Sequence, residues 1–95
     1  MILGRVVGNV ISVVKDEKYN GLKLMVVQEI NFKGDFEKNY HISVDLIGVG
    51  IDEVVMVVNG TPARSSDETF DKGIDSIIVA KMEVLIFENE VIQLR

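Results

Sequence analysis

The chain predicts a mainly β fold: a small five-stranded Greek-key barrel with one short helix between the fourth and fifth strands. Three observations carry this. Hydrophobic residues make up 47% of the 95 residues, yet aromatics only 6% with no Trp, so a core must be built from Val, Ile and Leu, and that composition favours strands. The apolar segments are short, alternating or continuous, and bounded by Gly, Asn and Asp turn signals. Glycines also punctuate the strands themselves: Gly4 and Gly8 are an even number of residues apart, hence on one face, as at the close crossings of small closed barrels. A chain of this length has room for a single domain, residues 1–95, and no second core.

The elements follow in order. Ile2 to Val14 reads as a long first strand, and Lys15 to Gly21 as a polar loop. In the second strand, Leu22 to Gln28, Leu22, Leu24 and Val26 share one face and Lys23, Met25 and Val27 the other. Ile30 and Phe32 extend it toward a turn at Lys33-Gly34-Asp35. The third strand, Tyr40 to Ile47, alternates His41, Ser43 and Asp45 against Ile42, Val44 and Leu46. The fourth, Glu53 to Val58, is almost wholly apolar, as expected when both faces are covered. Thr61 to Phe70 is the helical piece, with Thr61 as cap and Pro62 at the first helical position. Ile74 to Phe87 reads as a final long strand, followed by a turn at Glu88-Asn89-Glu90 and a short terminal strand from Val91 to Leu94. Five strands and a short helix in this order suit a barrel similar to the oligonucleotide-binding type.

Fifteen acidic and ten basic residues give a formal charge of -5. That argues against nucleic acid as the principal partner, since affinity there rests on Lys and Arg clusters, and against an anionic membrane surface. The apolar runs are too short to span a bilayer as helices, and no basic stretch leads into an apolar segment with a small-residue cleavage site; a cytoplasmic protein is the expectation. With no cysteine, disulfides, thiolate metal sites and a cysteine nucleophile are excluded.

Candidate chemistry is sparse. His41 is the only histidine and has no Cys or second His beside it for a metal, so a surface or rim role is expected. No Ser-His-Asp set forms without it, and no nucleophile elbow precedes a serine. Asp45, Asp52 and Glu53 read as turn caps or subunit contacts more readily than as an acid–base pair or a hard-cation site, since no Asp/Asn-rich calcium loop surrounds them. Gly48-x-Gly50 lacks the third glycine and amphipathic helix of a dinucleotide loop. No catalytic, cofactor-binding or metal site is expected. The charged stretches Asp16 to Asn20 and Glu37 to Asn39 read as solvated loops or as contacts to neighbouring proteins.

The most informative stretch is Val44 to Arg64. Its turn, Gly48-Val49-Gly50-Ile51-Asp52-Glu53, joins two apolar runs, and such glycines let backbones approach where side chains would clash. The apolar run Val54 to Val58 then ends in the abrupt corner Gly60-Thr61-Pro62-Ala63-Arg64. Arg64 there is placed to pair with a carboxylate of its own chain or a neighbour, with Asp45, Asp52, Glu53 and Asp75 as candidates.

Together with the opening Val6-Val7-Gly8-Asn9-Val10 and the second-strand Gly21-Leu22-Lys23-Leu24-Met25, these segments resemble the bacterial microcompartment vertex proteins, the small shell subunits of the ethanolamine-utilization and carboxysome type (EutN/CcmL). Each motif alone is weak; their order and spacing from Met1 to about Val84 make the match specific. Departures are Val49 for the family's Ala, Asp52 for its last Gly, and Thr61 and Pro62 for two serines. The resemblance implies the same barrel, a homopentamer whose other partners are hexameric shell proteins, and a place in a microcompartment shell within the cytoplasm. Gly48 to Glu53 would then border a pore or subunit interface, while Thr61, Pro62, Ala63 and Arg64 would form a structural turn and ion pair. On this reading Gly48→Val and Arg64→Ala disturb assembly more than the protomer. The competing readings are a single-stranded nucleic-acid module on the same barrel, which needs a basic groove with exposed aromatics, and a small-molecule enzyme, for which convergent polar groups are lacking.

Overall fold

The computed structural model describes residues 1–11, 22–60 and 76–94. Seven strands are present there: β1 (Ile2–Asn9), β2 (Leu24–Ile30), β3 (Phe36–Asp45), β4 (Val54–Asn59), β5 (Ser76–Lys81), β6 (Val84–Phe87) and β7 (Glu90–Gln93). The first five close a barrel in the order β1-β2-β3-β5-β4, and β6 and β7 form a separate hairpin. All barrel pairings are antiparallel except β3 with β5, so the barrel has the expected Greek-key character. The helix expected over Thr61–Phe70 lies outside the described residues.

The interior follows the period-2 rule. Val6, Met25, Val27, Val55, Val57 and Ile78 point inward and pack with Val49 of the β3–β4 loop. The face of β2 carrying Met25 and Val27 is therefore the core face. On β3 the inward set includes polar residues: Ser43 is fully buried and its hydroxyl bonds that of Ser76 on β5 at 2.6 Å, so the two small side chains satisfy each other.

Gly4 is where backbone and core crowd. A Cβ there would overlap Cγ1 of Val27 and lie 2.9 Å from the Gln28 carbonyl oxygen. At Gly8 the nearest atoms are at ordinary contact distance. The two glycines are not equivalent because the β1–β2 register shifts between Val6 and Gly8, a bulge that leaves Val7 unpaired and breaks the alternation.

Three strand readings differ from the sequence expectation. The strand pairing of β1 ends at Asn9 rather than continuing to Val14; the last described residues, Val10 and Ile11, lie beyond it, with the Val10 N–H still donating to the Leu24 carbonyl. β3 begins at Phe36, so Glu37 to Asn39 are strand and not loop. The preceding turn is compact enough to allow this: Asn31 Oδ1 accepts from the amides of Lys33 and Asp35. The expected long last strand is two strands, because Met82 and Glu83 leave the ladder between β5 and β6. The Met82 amide instead donates to the Val54 carbonyl, and its side chain enters a second apolar cluster.

That second cluster explains why β4 is apolar on both faces. The β6–β7 hairpin turns at Glu88 and Asn89, both at positive φ (52° and 65°), the pair of left-handed residues that matches hairpin twist. Leu85, Ile92 and Leu94 then lie with Leu3, Ile30, Val54 and Met82 on the outer side of the β1–β4 seam. Phe32 of the β2–β3 turn meets Phe87 edge-to-face at 5.2 Å.

Candidate functional site: the β3–β4 loop

The loop that the sequence singles out is built around Asp45, the last residue of β3. Its side chain is wholly buried. Oδ1 accepts from the amides of Ile47 (3.0 Å) and Gly48 (2.8 Å), and Oδ2 from Val49 (2.8 Å). Three orphan donors of a tight reversal are thus gathered by one carboxylate, an elaborated Asx turn. The Lys23 ammonium lies 3.3 Å from Oδ2 and donates to the Val49 carbonyl at 3.0 Å, tying the start of β2 to the loop. Burial works against the charge of Asp45, but the Val49, Ile47 and Gly48 amides and Lys23 outweigh it and hold the carboxyl below its ordinary value.

The loop does two things in the protomer. Val49 turns inward and completes the interior cluster at one mouth of the barrel. Gly50 to Glu53 then makes a second turn: the Gly50 amide donates to Glu53 Oε1 at 2.6 Å, and Lys81 of β5 lies 3.1 Å from Glu53 Oε2. These partners, Gly50 first, hold the Glu53 carboxyl below its usual value. The turn is fastened to β1 by Asp52 N–H to the Val6 carbonyl (2.8 Å), Val6 N–H to the Glu53 carbonyl (2.9 Å), and Arg5, whose Nη1 donates to the Asp52 carbonyl and Nη2 to that of Leu94.

The role of the glycines is more specific than close approach. Gly48 sits at φ +83° with nothing within 4 Å of a Cβ; it is required by its left-handed backbone, not by crowding. Asp52, which replaces the family's last glycine, is itself left-handed at φ +73°. Aspartate is among the side chains that tolerate that region, so the position does not need a glycine. Gly48→Val is accordingly expected to cost the protomer itself about 1–2 kcal/mol, read as a lowered melting temperature at fixed protein concentration.

Gly48, Val49, Gly50, Ile51, Asp52 and Glu53 are therefore one ordered unit, with Ile51 exposed and Val49 buried. Thr61, Pro62, Ala63 and Arg64 lie outside the described residues, as does Asp75. Sequence reasoning placed Asp45 and Glu53 as turn caps but missed their cations; Lys23 and Lys81 are brought to them only by strand pairing. His41, half-buried on β3, meets Glu29 of β2 at 3.1 Å, a rim contact; this bond above all lowers the Glu29 pKa. Among the described residues no group of three or more His, Asp or Glu gathers as a metal site. The earlier start of β3 sets Lys38 between the exposed Phe36 and Tyr40, but Glu37 stands beside it, and one lysine is no basic groove.

The family model described as "Ethanolamine utilisation protein EutN/carboxysome" matches residues 1–82. The carboxysome shell vertex protein CcmL of Thermosynechococcus vestitus is 35% identical over 89 residues, spanning 94% of this chain and 90% of that protein. The solved structure of Gloeobacter violaceus CcmL superposes with a TM-score of 0.89 at 27% identity, covering 96% of this chain and 94% of that one. The pentameric microcompartment shell protein GrpN of Rhodospirillum rubrum superposes with a TM-score of 0.76 at 34% identity, over 86% of this chain and 93% of its own.

Proposed function

We propose, from the premise that the chain belongs to the EutN/carboxysome family, that it is a structural shell protein forming cyclic pentamers that cap the vertices of a bacterial microcompartment in the cytoplasm. The observation that carries this is near full-length similarity to shell vertex proteins, one of them solved as a pentamer. The mechanism is geometric. A sheet of six-fold tiles is flat, and five-fold units at the corners let it close; five copies must meet head to tail around one axis.

The finer assignments rest on the loop. Residues Gly48 to Glu53 border the central pore, supported by their rigidity: Asp45, Lys23, Arg5 and Lys81 fix them from four separate strands or strand ends. The chain performs no catalysis and takes no cofactor; the buried or partnered state of Asp45, Glu53 and Glu29 supports structural work for each carboxylate. Hexameric shell proteins are its other partners and nucleic acid is not one, in keeping with the acidic balance of the chain.

Native mass spectrometry tests the central claim. A five-copy mass is expected at micromolar concentration, whereas free monomer at every accessible concentration would overturn it. In the same samples, single-stranded oligonucleotide at low salt is expected to leave the mass unchanged.

A further inference from the structure

The chain carries no cysteine, so its sulfur lies in four methionines. The fold sorts them unequally. Met25 points into the barrel and is 2% exposed. Met1, Met56 and Met82 meet outside the barrel, where the β6–β7 hairpin only partly covers the β1–β4 seam. With Leu3, Phe32 and Leu85 they line an open groove of about 230 Å³, and none of the residues lining it carries a polar side-chain group. Met56 and Met82 are half-buried there, neither sealed from solvent nor free in it. Met82 also stands at the root of the hairpin. Its amide donates to the Val54 carbonyl at 2.8 Å, and its side chain packs against Ile30, Val54 and Leu94, the cluster that seats the hairpin on the barrel. A second polar link runs from Arg5 Nη2 to the Leu94 carbonyl at 2.9 Å. Around these links the seat is apolar: Leu3 and Met82 with Leu85 and Ile92, and Phe32 edge-to-face with Phe87.

We propose that Met82, with Met56 in the same groove, is a site of reversible oxidation by peroxide that sets whether the C-terminal hairpin stays seated on the barrel. The thioether sulfur gives its lone pair to one peroxide oxygen. The S–O bond forms as the O–O bond breaks, and the departing hydroxide takes the proton of the transferred oxygen and leaves as water. Sulfur is oxidised by two electrons and the peroxide is reduced. The product exchanges an apolar, adaptable side chain for a polar sulfoxide. In this groove the sulfoxide oxygen meets no side-chain donor, so a seated hairpin leaves a polar group unpaired beneath it. Opening the hairpin returns that oxygen to water. A two-stranded hairpin off its support is marginal by itself, so the released segment loses its order. Met25 is the reference within the same chain: it has the same chemistry, but peroxide reaches it only when the barrel opens. The inference concerns the protomer and goes beyond the shell-vertex reading, so it stands or falls at any ring size.

The test treats the full chain with dilute hydrogen peroxide and reads peptide masses, melting temperature and amide hydrogen exchange. Met82 is expected to gain one oxygen at least about tenfold faster than Met25. The melting temperature is expected to fall by about 5 °C or more. Exchange should rise at the amides of β6 and β7 while those of β2 keep their protection. Methionine sulfoxide reductases of both stereospecificities, supplied with a dithiol, should restore the original melting temperature. Met82→Leu conserves volume and polarity; it is expected to fold with near wild-type stability and to lose most of the response to peroxide, although Met1, 78% exposed, still reacts. Should Met82→Leu fail to fold, Met82→Gln serves, since it sets a polar group in the groove without peroxide and should reproduce the faster exchange of the hairpin. Oxidation of Met82 no faster than that of Met25 overturns the proposal. So does a fully oxidised Met82 with unchanged hairpin exchange and melting temperature, or a folded Met82→Leu chain that responds to peroxide as the wild type does.

Discussion

Asp45→Ala is expected to cost about 3 kcal/mol of protomer stability, the sum of several donors left without their acceptor less what water recovers. The carboxylate takes three amide hydrogen bonds and faces Lys23. Without it, the Val49 amide is stranded in the buried part of the loop and Val49 loses its fixed entry into the interior cluster. For a domain of this size the melting temperature should fall on the order of 10–20 °C. Asp45→Asn keeps one acceptor oxygen for Ile47 and Gly48 but turns an amide donor toward the Val49 N–H, so about half of that loss is expected. The acid dependence has a defined sign. The folded pKa of Asp45 is depressed below its ordinary 3.8, so the charge contributes stability that is complete above that value and is lost as pH falls through the folded pKa. Thermal melts of wild type and Asp45→Asn between pH 7 and pH 2.5 should therefore run parallel above about pH 4 and converge below it. A gap unchanged down to the lowest pH would show that the carboxylate's charge contributes nothing to the loop.

Among the described glycines, Gly4→Ala should meet the tightest crowding. The added carbon would overlap Val27 Cγ1 and sit 2.9 Å from the Gln28 carbonyl oxygen. Val27 belongs to the interior cluster and cannot rotate away into solvent, and the carbonyl is backbone paired within β1–β2. Relief requires the two strands to move apart, which overpacking of this kind costs at about 1–3 kcal/mol. Gly8→Ala is the internal control: its new carbon would touch Val26 at 3.7 Å, ordinary contact, so a change within about 0.5 kcal/mol is expected. Chemical denaturation of both variants at equal concentration decides it. Equal midpoints for the two would refute the crowding at Gly4.

Much of the fold was legible because strand periodicity and turn chemistry are local. The continuous apolar run of β4 announced two covered faces, the Lys33-Gly34-Asp35 turn was found where its residues placed it, and the Glu88-Asn89 hairpin turn followed from residue type. Asp45 and Glu53 read from the sequence as turn caps or subunit contacts, and both cap turns in the folded chain. The misread elements share a different cause. Gly4 and Gly8 were assigned one role from even spacing, but a bulge at Val7 changes the register between them. The third strand starts earlier than its residue types suggest, because Glu37 to Asn39 look like loop and lie in an irregular stretch between Phe36 and Tyr40, both paired with β2. The last strand was read as one piece, since nothing in Met82-Glu83 reveals that the Met82 amide finds the Val54 carbonyl.

Residue type and order alone established the β class of this chain, the strand count of its barrel, the position of its glycine loop and its likeness to shell vertex proteins, because each of these is written in periodicities and motifs a few residues long. Only the folded chain decided that Gly48 serves a left-handed backbone while Gly4 serves a crowded core, and that Lys23 and Lys81 face Asp45 and Glu53. Those relations join residues far apart in the chain, through strand register and barrel closure, and no local pattern encodes them.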